Sequence, residues 1–466
     1  MAQHSPSYFL IDRSHAAPLF EQICASLRGR IISGGLQEGT RLPPTRALAS
    51  ELGVSRSTVV TAYEQLVAEG YLSGVQGSGY KVLAMGDVEL AVTTRRPLIK
   101  RAAPMPAPQR PFQAGQPDMR LFPHRQWARS IARVCRNQPE ALLASADSFG
   151  NLDLRTAIAA HVQEWRGVLA APEQIIITAG ATDALEICFR TLAKPGEGVG
   201  LENPGYPPLR RTAERQALAV TNLDIDADGA TLPACADGIR MVVLTPSHQY
   251  PLGGAMPPAR RLAFLSWAKK NGIWIVEDDY DSEFRYAGRP IPAMAGFDQL
   301  NRTLYVGGFS KIFSNTLRLG YIIAPKALIG PFRANAAEFG IKASAMPQQA
   351  LADFMQAGEF YRHLRRVRRI YGERRAYLLG ALAARFAEYG GFTDHQAGMQ
   401  VAFHMRPDLP DKQIESRAHA LGLTTLALSR FQVGAPSVNG VLLGYCGFST
   451  EEMSAALGEL GRVLNG

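Results

Sequence analysis

Seven short runs rich in β-branched and aliphatic residues recur between positions 175 and 324, most of them separated by helix-sized gaps. They are Ile175–Thr178, Gly198–Glu202, Ala219–Leu223, Met241–Thr245, Ile273–Glu277, Leu304–Val306 and Tyr321–Ala324. Strands that are apolar throughout must be covered on both faces, and strands that alternate with helices pair in parallel. The spacing therefore predicts an α/β fold around a seven-stranded, mostly parallel sheet. The flanking stretches, roughly 112–160 and 335–466, read as a helix-rich outer part with strands near Gln400–His404 and Val441–Tyr445.

Between Ala84 and Pro111 no apolar period is sustained, and Pro97, Pro104, Pro106, Pro108 and Pro111 stand among Arg95, Arg96, Lys100 and Arg101. Proline removes backbone donors and favours extended geometry, so the stretch reads as a semi-rigid linker. The expected organisation is 13–83, a small head; 84–111, the linker; and 112–466, the α/β domain. In the head, Leu19, Ile23, Leu27 and Ile31 recur every four residues after Pro18, as on an amphipathic helix that Gly34 and Gly35 end. A second helix is predicted over Thr45–Leu52 with Gly53 as its stop. Ser55 can cap a third, whose Val59, Tyr63 and Leu66 face inward while Ser55, Arg56, Ser57 and Thr58 fill the exposed first turn. Tyr71–Ser73 and Tyr80–Leu83 flank Gly74, Gly77 and Gly79 and read as a small wing.

Bulk charge does not identify the head as a nucleic-acid binder. The 466 residues carry a net charge of +9, yet residues 1–83 hold seven Lys/Arg against six Asp/Glu. Placement decides instead. A helix-turn-helix presents the first turn of its second helix to the major groove, which brings Ser55, Arg56, Ser57 and Thr58 to the bases. Thr45 and Arg46 are placed for backbone phosphate, as are Lys81 and the wing around Gly77. The five cysteines form no C-x-x-C pair, no basic-then-apolar leader opens the chain, and no run of about 18 apolar residues occurs. The expectation is a soluble, cytoplasmic protein.

A second chemistry lies at the strand ends. Schiff-base chemistry needs a pocketed lysine, a carboxylate for a pyridine nitrogen and a phosphate cradle. Of nine lysines, Lys311 follows the end of an interior strand in YVGGFSK. Asp278 and Tyr280, in IVEDDYDSEF, also end a strand; Asp278 is placed to pair with a pyridinium and Tyr280 to bond a phenolic oxygen. Gly180, Ala181 and Thr182, in ITAGATDAL, read as strand, turn and helix start, where free amides suit a phosphate. Ser310 and Arg318 are candidates to complete the cradle. The cofactor expected is pyridoxal 5'-phosphate.

Two sets of motifs carry a family resemblance. GTRLPPTRALA and GVSRSTVVTAYEQL resemble the winged helix of GntR regulators over about residues 15–83, which implies DNA contacts from Arg46, Arg56 and the first turn of the third helix. ENPGYP, TPSHQYPLGG, EDDYDSEFRYAGRP, GGFSK and LRLGY resemble the MocR subfamily over 112–466. That resemblance implies a fold-type I aminotransferase-like domain, Lys311 as the cofactor's lysine, Asp278 at the ring nitrogen, Tyr280 at the ring hydroxyl and Tyr206 near the ring. It also implies a homodimer with exchanged heads, matching symmetric half-sites on double-stranded DNA. Two departures from aminotransferases are visible. Tyr250-Pro251-Leu252-Gly253 replaces Asn-Pro-Thr-Gly, and Gly308 stands where a hydroxyl residue often meets phosphate. The reading is thus a transcriptional regulator responsive to an amino compound or to the cofactor itself, with at most a partial transamination half-reaction; the alternatives are an active aminotransferase with an accessory head, or a constitutive DNA binder. The resemblance also points to Arg430, in LALSRF, for an effector's acidic group, against a surface arginine on a C-terminal strand; Arg210 and Arg211 are the substitutes. Finally, Glu359–Arg375 holds seven arginines at helical spacing, expected as a solvated amphipathic helix with phosphate contact as the second reading.

Overall fold

The computed structural model describes residues 11–75, 79–84, 110–140, 147–288, 291–340, 342–435 and 437–465. Gly77 and nearly all of the expected linker, 85–109, lie outside these. The chain divides between Met105 and Pro106 into two compact units.

In the first unit, helix α1 spans Leu19–Ile32, α2 Thr45–Leu52 and α3 Arg56–Ala68, followed by strands β1 (Leu72–Val75) and β2 (Gly79–Val82). Pro18 stands at the start of α1, where a missing N–H costs nothing. Gly53 ends α2 in the left-handed region at φ 62°, and the Ser55 side chain accepts from Thr58 N at 3.1 Å to open α3. Ile23, Leu27, Leu48, Val59, Tyr63, Leu66, Leu72 and Val82 form one buried cluster. Each large aliphatic or aromatic side chain so buried contributes about 1.5–3 kcal/mol. The wing is antiparallel, pairing Leu72 with Val82 and Ser73 with Lys81.

The second unit is built on an eight-stranded sheet. Its strands are β3 (Ile175–Thr178), β4 (Gly198–Asn203), β5 (Ala219–Asp226), β6 (Gly229–Ala230), β7 (Ile239–Leu244), β8 (Trp274–Asp278), β9 (Thr303–Gly308) and β10 (Gly320–Ile323), in spatial order β3-β10-β9-β8-β7-β4-β5-β6. The pairs β9/β8, β8/β7, β7/β4 and β4/β5 are parallel, whereas β10 runs antiparallel to both neighbours. All seven expected strands are present. The eighth is a two-residue edge formed where the chain folds back on β5 at Gly229, too short to leave a periodic signal. Apolar clusters lie on both faces, as a mostly parallel sheet requires. A smaller antiparallel sheet includes Gln400–Met405 and Gly440–Gly444.

This topology places the carboxyl ends of β3, β4, β7, β8 and β9 on one side, where open α/β sheets hold ligands. Among the described residues, no helix is long and apolar enough to cross a membrane.

Candidate functional site

In the head, Arg46, Ser55, Arg56 and Ser57 are exposed, and Thr45 and Thr58 are half-buried. Ser55 Oγ lies 2.7 Å from both Ser57 Oγ and Thr58 Oγ1, so these hydroxyls share one network at the first turn of α3. Arg56 Nε donates to Thr45 Oγ1 at 3.4 Å, which joins the starts of α2 and α3. The surface therefore offers hydroxyls and guanidinium groups on a rigid turn, the combination that reads base edges and phosphates.

In the second unit, Gly180, Ala181, Thr182, Tyr206, Asp278, Tyr280, Ser310, Lys311 and Arg318 all line one cavity of about 1000 Å³. Helix α4 (Ala181–Leu192) begins at its wall. Gly180 precedes that helix at φ 99°, a conformation that favours glycine, and Gly180, Ala181 and Thr182 bring the start of the helix, where amides are free, to the cavity wall. Lys311 follows β9, and its Nζ donates to the Gly115 carbonyl at 2.8 Å. Residue 115 stands at φ 65°, a conformation that favours glycine, and a Cβ there would lie 2.6 Å from that Nζ and push the flexible end of the lysine aside.

The electrostatics suit a cationic ring. Asp278 ends β8 buried, and its carboxyl is pushed up to about 7, first by burial and then by Asp279, Glu202 and Asp281, with Lys311 opposing. Its Oδ1 is buried without a hydrogen-bond partner. Such an atom is rare in a native structure and marks a place where a donor belongs; a pyridinium N–H would be such a donor. Burial also lowers the Lys311 ammonium, with Asp281 and Asp278 opposing, which favours the nucleophilic amine. Tyr280 Oη lies 3.0 Å from His248 Nδ1, which is 3.1 Å from both oxygens of buried Asp281. With the His248 Nδ1 proton directed to Asp281 and Tyr280, the Tyr280 hydroxyl proton remains for a cavity acceptor. The residues present thus fit the expected cofactor at ring nitrogen, ring oxygen, phosphate and amine.

Beside this cavity lies a second, lined by Glu202, Tyr206, Arg210, Thr245, Tyr250, Asp278, Arg430 and Phe431, so the two share walls. Arg430 sits on a 3-10 helix, Leu428–Phe431, and not on a strand; its Nε pairs with buried Glu415. Arg210 borders this second cavity, whereas Arg211 lines neither. Glu202, hydrogen-bonded by Thr245 N and Gln249 Nε2, is pushed up to about 7 by burial.

Sequence reasoning missed Gly115, Glu202, His248, Asp281 and Gln400. DDYD and TPSHQY held the only local signal, a second acid and a histidine beside strand ends. Gly115 and Gln400 reach the cavity from 196 and 89 positions away from Lys311 along the chain, which no local pattern reveals. The arginine stretch is corrected too. It begins helix α5 (Glu359–Arg385), but Arg374 and Arg375 are buried and pair with Asp118 and Asp394, so the helix is not simply a solvated one.

The winged helix falls within a match, over residues 19–82, to the gntR family of bacterial regulatory proteins, and residues 111–433 match aminotransferase class I and II. The chain is 36% identical to the probable rhizopine catabolism regulatory protein MocR of Rhizobium meliloti, over 97% of this chain and 94% of the relative. It is 32% identical to the pyridoxine biosynthesis transcriptional regulator PdxR of Corynebacterium glutamicum, over 94% of each chain. In structure it resembles LysN, the α-aminoadipate aminotransferase of Thermus thermophilus, with TM-score 0.67 and 27% identity over 76% of this chain and 91% of that one. A likeness to an archaeal alanine:glyoxylate aminotransferase, TM-score 0.71 at 24% identity over 77% and 91%, bears on the fold alone. With a gntR head and an aminotransferase-type domain in one chain, and relatives of that build aligned along nearly its whole length, the protein belongs to the MocR-type transcriptional regulators.

Proposed function

We propose that this regulator binds pyridoxal 5'-phosphate through Lys311 and uses the loaded domain to sense a primary amine, adjusting its grip on double-stranded DNA. The observation that carries the reading is the buried, unpartnered Asp278 Oδ1 in the same cavity as Lys311. When bound, the cofactor supplies an aldehyde that condenses with primary amines and an electron-withdrawing ring. Asp278 holds the ring N–H, Tyr280 donates to the ring oxygen and Tyr206 borders the ring. Gly180, Ala181 and Thr182 meet the phosphate with amides at the start of α4, with Ser310 and Arg318 beside them. A primary amine taking the place of Lys311 would free Nζ, for which the Gly115 carbonyl is an acceptor within reach. Arg430 would grip the effector's acidic group, its fork suiting two oxygens.

Thr45, Arg46 and Ser55 to Thr58 supply the DNA contacts of the head, and Gly77, outside the described residues, is a further candidate. The working form is a cytoplasmic homodimer on symmetric half-sites. Borohydride reduction followed by peptide mapping tests the cofactor assignment: the reduced pyridoxyl group is expected on Lys311 and absent from Lys311→Ala. A label on another lysine refutes it. An assay for keto-acid production separates this reading from a working aminotransferase.

A further inference from the structure

The effector domain's positive charge is concentrated on one helix. Residues 112–466 hold 38 Lys/Arg against 33 Asp/Glu, and α5 alone holds eight Arg against two Glu; the domain without that helix is acidic by one charge. Arg365, Arg368, Arg369, Gly372, Arg375 and Leu379 recur at three- and four-residue spacing, which places them on one face. That face and Arg285 border an open groove of about 1400 Å³. Within it, Arg369 is balanced by Glu373 at 2.6 Å and Arg375 by Asp394, while Arg365 is exposed and has no carboxylate partner among the described residues. Arg368 Nη2 donates to the Arg285 carbonyl, which holds those two arginines together. Arg285 Nε is buried without a hydrogen-bond partner, an unused donor at the groove wall. Gly372 leaves the middle of the face without a side chain.

We propose that this groove is a second DNA contact, which takes the phosphodiester backbone flanking the operator core. The proposal rests on the DNA-binding reading of the head. An anion is the ligand that an excess of guanidinium groups selects. The groove is open, and from residue 365 to 379 it extends about 21 Å at 1.5 Å per residue. That length matches about six base-pair steps of a strand and exceeds what a single phosphate occupies. Sequence reading is not expected of it, because arginines on phosphates fix position and not base identity.

The test titrates the full-length, cofactor-loaded protein against two duplexes, one carrying the footprinted operator with long flanks and one trimmed to the operator core. The double variant Arg365→Ala, Arg369→Ala should lose roughly three- to tenfold in affinity for the long duplex at physiological salt, with a salt slope shallower by about one to two, the lower figure if Arg369 stays with Glu373. It should bind the trimmed duplex as the unaltered protein does. Arg365→Lys, Arg369→Lys should restore most of the slope, since the charge is kept. Thermal unfolding and the Lys311 attachment serve as folding controls. Unchanged affinity and slope on both duplexes overturn the proposal, as does an equal loss on both, which would place the effect in the head. Dissociation of a dimer by the substitutions would make the face an interface between copies. Pyrophosphate is titrated into the same proteins in parallel, and loss of its binding with DNA binding intact would make the groove a small-anion site. Either of these results also overturns the proposal, whereas failure of the unaltered protein to bind the trimmed duplex would count against the head's reading instead.

Discussion

A carboxylate buried at a strand end with one oxygen unpaired is costly to ionise, and Asp278 is such a group. Its ordinary value of 3.8 is raised to about 7 in the fold, and that of Glu202 beside it rises from 4.5 to about 7. Between those values these two groups bind more protons in the folded protein than in the unfolded chain, so their contribution to stability falls as pH rises across the interval and levels off above about 7. His363, His395 and His404, whose values burial lowers, act in the opposite direction over the same interval, so the Asp278 contribution is read as a difference: in the cofactor-free state Asp278→Asn should gain melting temperature relative to the unaltered protein from about pH 4 to about pH 7. Loading the cofactor should have a similar effect in the unaltered protein, because a ring N–H compensates the ionised carboxylate. Melting curves across that range check both; an Asn variant with the same pH profile would contradict the assignment. At this scale the sequence was informative where chemistry and strand ends coincide: Lys311, Asp278 and Tyr280 all follow or end apolar runs. It was uninformative about His248 and Asp281, because their relation to Tyr280 depends on β7 and β8 lying side by side.

Element boundaries were legible where their causes are local. Gly53 and Ser55 stop and start the helices of the head through their own backbone and side chain, and the structure has them doing so. The direction of β10 was not legible, because the connection from β9, 309–319, is as long as a helix-sized gap and its other neighbour, β3, lies far back along the chain. The LALSRF run illustrates another limit: Leu426 and Ala427 extend and pair with the smaller sheet, but Leu428–Phe431 turn as a 3-10 helix that sets Arg430 on Glu415 and Phe431 against Tyr250. The ion pairs that bury Arg374 and Arg375 likewise draw on acids distant in sequence. A contrast within α3 tests the head. Ser55→Ala removes the acceptor for Thr58 N and should destabilise the head by about 0.5–2 kcal/mol, read by thermal unfolding. Arg56→Ala touches no core residue, so stability and cofactor uptake should persist while operator affinity weakens by about 1–3 kcal/mol, if Arg56 reads a base with both arms. Equal operator affinity and equal discrimination against mismatched sites would remove Arg56 from the reading surface.

For the whole molecule, regulation requires that an effector favour one conformational state over another, since equal affinity for two states shifts nothing. The adjoining cavities supply a place where that difference can arise. Tyr250 packs edge-on against Tyr206, Tyr280 and Phe431 at 5.4–5.7 Å between ring centroids, so the Arg430 turn and the Lys311 cavity share one aromatic wall. An effector with a primary amine and an acid group would place the amine at Lys311 and the acid at Arg430. The ion pair with Glu415 uses Nε, which leaves the guanidinium's other two nitrogens for the second anion. Amino acids, aminosulfonates and diamines titrated into the loaded protein should then sort by chemistry: compounds with both groups change the absorption spectrum and operator affinity together, and diamines lacking an acid do so weakly. Arg430→Ala should raise the effector concentration needed by at least tenfold while leaving cofactor attachment intact. Arg430→Lys should recover only part of the response, because an ammonium keeps the charge without the fork. A response that survives Arg430→Ala unchanged would move the acid-binding role to Arg210 or elsewhere, and a response to the cofactor with no amine present would identify the cofactor itself as the signal.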